Sequence, residues 1–166
     1  MAEFSDINTF IFDVDGVLTD GSIIAYETGE QPRTFNIKDG YGIERALLAG
    51  YHIVIISGGK QESVRKRLNF LGIKDVFLGV KDKVSVFAEY TATRSLDPKT
   101  ILYMGDDIPD YKMLQLVGLP TCPADASIDI KPICKYVSSF NGGQGAVRDV
   151  IEKVMRAQGK WDHKNW

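Results

Sequence analysis

Residues Thr9–Gly21 read TFIFDVDGVLTDG. The first four suit a strand covered on both faces. The chain then passes straight into two aspartates one residue apart. A charged carboxylate at a buried strand end is destabilising unless a cation or hydrogen bonds meet it. In an extended chain Asp13 and Asp15 lie on one side and Val14 on the other, so the two acids are presented together. Gly16 then lets the chain leave the strand.

Working outward, the same arrangement recurs. Continuous apolar or β-prone runs at Thr9–Asp13, His52–Ser57, Asp75–Gly79 and Thr100–Gly105, with a weaker one at Lys135–Ser138, alternate with segments of helical period. In Lys60–Leu71 the residues Val64, Leu68 and Leu71 recur at helical spacing, and Gly72 can close the helix. Pro109 suits the first turn of a helix running to Val117, with Gly118 ending it. Val147, Val150, Ile151, Val154 and Met155 make one apolar stripe in Ala146–Gln158. Strands alternating with helices predict an α/β fold: a doubly wound, Rossmann-like parallel sheet with right-handed crossovers. Ser22–Ile37 breaks the alternation. Its two short extended runs around ETGEQP predict a β-hairpin inserted after the first strand. No repeat or linker divides the 166 residues, so a single domain is expected, with a tail over residues 159–166.

Composition narrows the function. The chain is 44% hydrophobic and 25% charged with a formal net charge of −2, so it neither reads as disordered nor carries the basic excess of a nucleic-acid binder. Apolar runs such as IVII are far too short to span a bilayer, and MAEFSD lacks the basic and apolar parts of a signal peptide, so a cytoplasmic, membrane-free protein is expected. Cys122 and Cys134 have no CxxC spacing and read as reduced thiols. His52 and His163 are far apart, which argues against a His/Cys zinc site.

In doubly wound sheets, ligands bind at the carboxyl ends of the strands. Here those ends are Asp13-Val14-Asp15, Ser57-Gly58-Gly59, the Lys81-Asp82-Lys83 run after the third strand, and Gly105-Asp106-Asp107 with Asp110 one turn on. Oxygen ligands without histidine or cysteine suit a hard divalent cation, Mg2+ above all, whose remaining ligands come from water and a substrate phosphate. Ser57 and the amides of Gly58 and Gly59 suit phosphate oxygens, and Lys83 adds a positive charge. One carboxylate can take a phosphoryl group while a neighbouring one serves as general acid and then base. Each piece alone has an ordinary structural explanation as a turn, a loop, a helix-start acid or a surface lysine. Four such strand ends in one chain argue for a shared site.

With DVDGVLTD, IISG, Lys83 and GDDIPD in this order, the chain resembles the haloacid dehalogenase phosphatase superfamily. The segments FNIKDGYGI, GGQGAVRDV and AQGKWD further resemble the branch that hydrolyses 3-deoxy-D-manno-octulosonate 8-phosphate (KDO 8-phosphate), a lipopolysaccharide precursor. That resemblance implies a Mg2+-dependent phosphomonoesterase without a large cap domain. It implies Asp13 as nucleophile, Asp15 as acid/base, and Mg2+ held by the Asp13 and Asp106 carboxylates and the Asp15 backbone carbonyl. Asp107 and Asp110 would lie behind these ligands, with Asp110 orienting Lys83, and Ser57 and Lys83 would bind phosphoryl oxygens. It also implies a homo-oligomer, expected to be a tetramer, in which the hairpins pack together and GGQGAVRD brings Arg148 toward a neighbour's site as an anionic-substrate contact. Arg148 is equally open to reading as a surface helix residue. Branch members usually place arginine after the Ser/Thr-Gly pair, whereas this chain has Gly59 and then Lys60. Two alternatives therefore stand beside the first reading: a phosphatase for a nine-carbon ulosonate 9-phosphate, and a non-catalytic phosphoacceptor module, which would not need Asp15.

Overall fold

The computed structural model describes residues 2–162 and 164; His163 and Trp166 of the tail lie outside the described residues. Six parallel strands form one sheet in the order β3-β2-β1-β4-β5-β6. They are β1 (Thr9–Phe12), β2 (His52–Ile56), β3 (Asp75–Phe77), β4 (Ile101–Met104), β5 (Leu119–Cys122) and β6 (Tyr136–Val137). The helices are α1 (Ala2–Ser5), α2 (Ile37–Leu48), α3 (Glu62–Phe70), α4 (Lys83–Thr93), α5 (Tyr111–Leu114) and α6 (Ala146–Ala157). The chain winds outward from β1 to β3 and then returns to β4 on the other side of β1. The switch point of the sheet therefore lies between β1 and β4, where Asp13 and Asp106 emerge.

Alternate residues of each central strand feed two cores. Phe10, Phe12, Ile53 and Ile55 pack with Ile43 of α2, Val64 and Leu68 of α3, and the Val147–Met155 stripe of α6. Ile11, Val54, Ile56 and Tyr103 face Phe87 and Tyr90 of α4 and Met113 and Leu114 of α5. Each fully buried side chain of this size contributes about 1.5–3 kcal/mol, so the strands cannot slip by one residue without exchanging both cores.

Four local expectations are revised. Strand β5 escapes a reading by apolar runs because it is LPTC, and proline is rare in an interior strand. Pro120 is tolerated between Tyr103 on one side and the edge strand β6 on the other, where its carbonyl accepts from Lys135 N at 2.9 Å. The Pro109–Val117 helix is shorter than expected, a 3-10 turn over Ile108–Asp110 followed by α5. Ile37 belongs to α2, which Asn36 caps by accepting from Lys38 N at 2.7 Å. The inserted segment does turn back on itself, through Ile24 N to Pro32 O (3.4 Å) and Tyr26 N to Glu30 O (3.1 Å), but no regular β-ladder forms between its exposed arms. Among the described residues no helix is long and apolar enough to cross a membrane.

Candidate active site

At the end of β1, Asp13 stays tied to the sheet, its amide donating to Met104 O at 3.2 Å. The chain then winds tightly, with the amides of Val17, Leu18 and Thr19 converging on Val14 O. Gly16 sits at φ +80°, and a Cβ added there would lie 1.9 Å from Asp106 Oδ2. Glycine is thus required twice, by its backbone conformation and by the approach of a carboxylate from β4.

Asp13 is buried. Its Oδ1 accepts from Val14 N at 2.7 Å and its Oδ2 meets Lys83 Nζ at 3.0 Å. Lys83 is the first residue of α4, which Asp82 caps through the Val84 and Ser85 amides. Its ammonium also donates to Asp110 Oδ1 at 2.7 Å. Burial pulls the Lys83 pKa down, but the two carboxylates outweigh it and hold the pKa above the usual lysine value.

Asp110 is almost wholly buried, and its two oxygens meet four donors: Lys83 Nζ, Tyr103 Oη at 2.5 Å, Asp106 N at 3.0 Å and, at the limit, Asp107 N at 3.5 Å. Gly105 makes room for it, since a Cβ there would overlap the Asp110 carboxyl carbon at 2.4 Å. Asp106, by contrast, accepts no side-chain hydrogen bond from the described residues. Burial first, then the charges of Asp110, Asp13 and Asp107, push its pKa up to about 7. Burial and Asp110 likewise push Asp13 up to about 6, against the pull of Lys83 and the Val14 amide.

One carboxylate oxygen each from Asp13, Asp106 and Asp110 lies within 4.8 Å of the others. At that spacing and an effective dielectric near 20, each pair of full charges repels by roughly 3 kcal/mol or more. This donor set, hard, anionic and short of positive partners, fits a divalent cation. Asp13 and Asp106 have oxygens to give it, whereas Asp110 is already saturated.

Ser57 is buried at the end of β2, its Oγ accepting from Gly59 N at 3.3 Å. Val80 N to Ser57 O (3.0 Å) and Gly79 N to Gly59 O (2.7 Å) bind this loop to the one that carries Lys83. A cleft of about 760 Å3 opens above the rim, lined by Ser57, Gly58 and Gly59 and by Ile108, Pro109, Tyr111 and Lys112, large enough for a small phosphate ester.

The rim therefore gathers Asp13, Asp15, Ser57, Gly58, Lys83, Asp106, Asp107 and Asp110. Arg148 is not in the cleft of its own chain. It bonds Glu152 at 3.0 Å, and its guanidinium lies 4.8 Å from the Tyr41 ring centre and 4.5 Å from that of Trp161. Two residues went unforeseen. Tyr103 is hidden because it reads as one more β-strand aromatic. Arg33 binds the Asp15 carboxylate through Nε (2.9 Å) and Nη2 (3.1 Å). The available signal was that Arg33 is the only basic residue in Ser22–Asn36.

A family model described as haloacid dehalogenase-like hydrolase matches residues 79–151, and the chain belongs to that family. Within it, the chain falls in the 3-deoxy-D-manno-octulosonate 8-phosphate phosphatase branch. It is 39% identical to the enzyme of that name, KdsC, from Escherichia coli B over 162 residues, covering 98% of this chain and 86% of the relative. The crystal structure of the Yersinia pestis phosphatase superposes with a TM-score of 0.93 at 36% identity, covering 96% of this chain and 86% of that one. The Moraxella catarrhalis phosphatase, solved with magnesium, phosphate and KDO, superposes at 0.92 with 30% identity over 95% and 91% of the two chains.

Proposed function

We propose that this chain is a Mg2+-dependent phosphomonoester hydrolase that converts KDO 8-phosphate to KDO and phosphate through an aspartyl-phosphate. The observation that carries this reading is Asp13: a buried carboxylate at the switch point, flanked by Lys83 at 3.0 Å and by the under-partnered Asp106, with Asp15 on the same rim. The carboxylates of Asp13 and Asp106 and the backbone carbonyl of Asp15 would hold Mg2+, which when bound supplies positive charge against the carboxylates and the phosphoryl oxygens. Asp13 Oδ attacks phosphorus; the new P–O bond forms as the ester P–O bond breaks, and Asp15 gives its proton to the departing sugar oxygen. A water oxygen then attacks the same phosphorus, its proton passes to Asp15, and the aspartyl P–O bond breaks, restoring the Asp13 carboxylate and the protonated Asp15. Lys83 and Ser57, with the Gly58 amide, hold the phosphoryl oxygens, and Asp110 holds Lys83 in place.

The cleft is open, and the arms beside it expose Ile23, Ile24 and Tyr26. In our reading these apolar side chains pack against those of neighbouring copies in a cytoplasmic homotetramer, with Arg148 serving a neighbour's cleft. The test of the activity is Asp13→Asn, expected to retain the wild-type circular dichroism spectrum while losing phosphate release from KDO 8-phosphate. Near-normal release by that variant would overturn the nucleophile assignment. A higher kcat/KM for a nine-carbon ulosonate 9-phosphate in the wild type would replace the substrate.

A further inference from the structure

The inserted arm does more than stand beside the cleft. Arg33 comes back from its far limb and places its guanidinium in line with Asp15, one N–H on each carboxylate oxygen. The Arg33 side chain is only 6% exposed, whereas Asp15 is 38% exposed. The third arm of the guanidinium, Nη1, donates to Gln31 O at 2.6 Å. The side chain of Gln31 in turn accepts from Gln61 Nε2 at 3.3 Å, which ties the arm to the start of α3. Gly59 brings no side chain to Asp15; a Cβ there would meet Asp15 Oδ2 in ordinary contact at 3.6 Å.

Stability alone does not account for this arrangement. An ion pair with one partner more than a third exposed contributes about 0–1 kcal/mol, and burying a guanidinium offsets even that. The geometry has a more specific consequence. A carboxylate offers about four lone-pair sites, and the two-pronged contact occupies two of them. It fixes the plane and direction of the group while leaving sites for a proton.

We propose that Arg33 is a positioning residue for Asp15, and that through it the inserted arm sets where the acid/base carboxylate points. This rests on the reading of Asp15 as the group that protonates the leaving oxygen and then deprotonates water. Arg33 does not itself transfer the proton; that falls to the Asp15 carboxylate whose two oxygens it holds. It acts by keeping Asp15 aimed in both half-reactions, and it makes that aim depend on the placement of an exposed arm.

Leaving groups separate this role from a merely structural one. p-Nitrophenolate departs without a proton, so formation of the aspartyl-phosphate from p-nitrophenyl phosphate needs no aimed acid, while its hydrolysis still needs an aimed base. Arg33→Ala is therefore expected to give a burst of about one p-nitrophenolate per site followed by slow turnover. Against KDO 8-phosphate, whose sugar oxygen leaves only when protonated, its kcat/KM should fall about tenfold further than against the aryl ester. Millimolar guanidinium should restore the slow phase, and Arg33→Lys, which keeps the charge but not the fork, should recover less than guanidinium does. Loss in equal proportion on both esters, with no burst and no rescue, would mean that Arg33 only supports the fold. Wild-type rates in Arg33→Ala would remove any role. A wild-type chain inert toward both esters would instead overturn the phosphatase reading itself. If only p-nitrophenyl phosphate is turned over, the substrate assignment fails, and the burst and its guanidinium rescue decide Arg33 alone.

Discussion

Gly16→Ala is the sharpest perturbation of the candidate metal centre, because it adds a single methyl group. The added Cβ would sit 1.9 Å from Asp106 Oδ2 and 2.3 Å from its carboxyl carbon. Ordinary contact begins near 3.4 Å, so the carboxylate must retreat by roughly 1.5 Å. The Asp106 backbone is held, its amide bonded to Asp110 and its carbonyl accepting from Ser127 N at 2.8 Å, so the carboxylate retreats by rotating about its own side-chain bonds and leaves its present position beside Asp13. A second effect is separate: φ +80° disfavours any side chain by about 1–2 kcal/mol. Gly29→Ala isolates that effect, because Gly29 has φ +84° and nothing within 4 Å of its added Cβ. Both variants should lose stability in thermal melts, Gly16→Ala the more. Only Gly16→Ala should weaken Mg2+ binding by calorimetry, by tenfold or more. Its phosphate release should fall about a hundredfold, the usual consequence of a displacement near 1 Å at a reacting centre. Wild-type Mg2+ affinity and turnover in Gly16→Ala would refute the argument that Asp106 is a ligand held at this point.

Asp39 carries a pH prediction away from the cleft. It lies in α2, 1% exposed, and accepts from Arg148 N at 2.8 Å near the start of α6, where Gly145 has no side chain to cap the helix. Burial, only partly opposed by the Arg148 and Gly145 amides and the Arg148 charge, raises its pKa from 3.8 to about 6. A carboxylate raised on folding destabilises the native state above its folded pKa. Stability should therefore rise as pH falls from about 6 toward 4, by up to about 3 kcal/mol. Asp39→Asn should lose that component in urea titrations across this range, and an identical pH dependence in both proteins would refute it. Multi-angle light scattering should return the mass of a tetramer, and Ile24→Glu on the exposed arm should lower it; a fully active wild-type monomer would rule out the assembly.

What could be read in the sequence was whatever a single strand end announces by itself. Asp13, Ser57, Lys83 and Asp106 each follow a recognisable β-run, and a parallel sheet must bring such ends to one rim. What could not be read depends on partners far apart in the chain. Arg33 lies 18 residues from Asp15 in a polar loop, and only the folded arm pairs them. Asp39 lies 109 residues from the helix start it serves. Helix α2 is disguised by Gly40 and Gly42, poor helix formers that admit Arg67, Leu71 and Arg148 at close range. Strand β5 is disguised by Pro120. In each case a local rule yields to a tertiary contact.

The pairing of charges at the rim also explains why so many aspartates stand together. Asp110 is satisfied by Lys83, Tyr103 and two backbone amides, and Asp15 by the fork of Arg33. Asp13 shares Lys83 with Asp110, and among the described residues no cation is bonded to Asp106. The acids thus divide by partner rather than by type. One is locked in place and orders the Lys83 ammonium, one is aimed by an arginine, and two are left with raised pKa values. That remaining pair carries two negative charges, which a divalent cation between β1 and β4 would balance. A neutral filling of the same space, such as Asp106→Asn, would leave Asp13 as it stands, raised by burial and Asp110 and drawn down by Lys83. It would take away the second carboxylate that the ion needs. Loss of metal binding with the ionisation of Asp13 little changed is therefore the outcome expected of that variant, because Asp106 faces the ion while Lys83 and Asp110 govern Asp13.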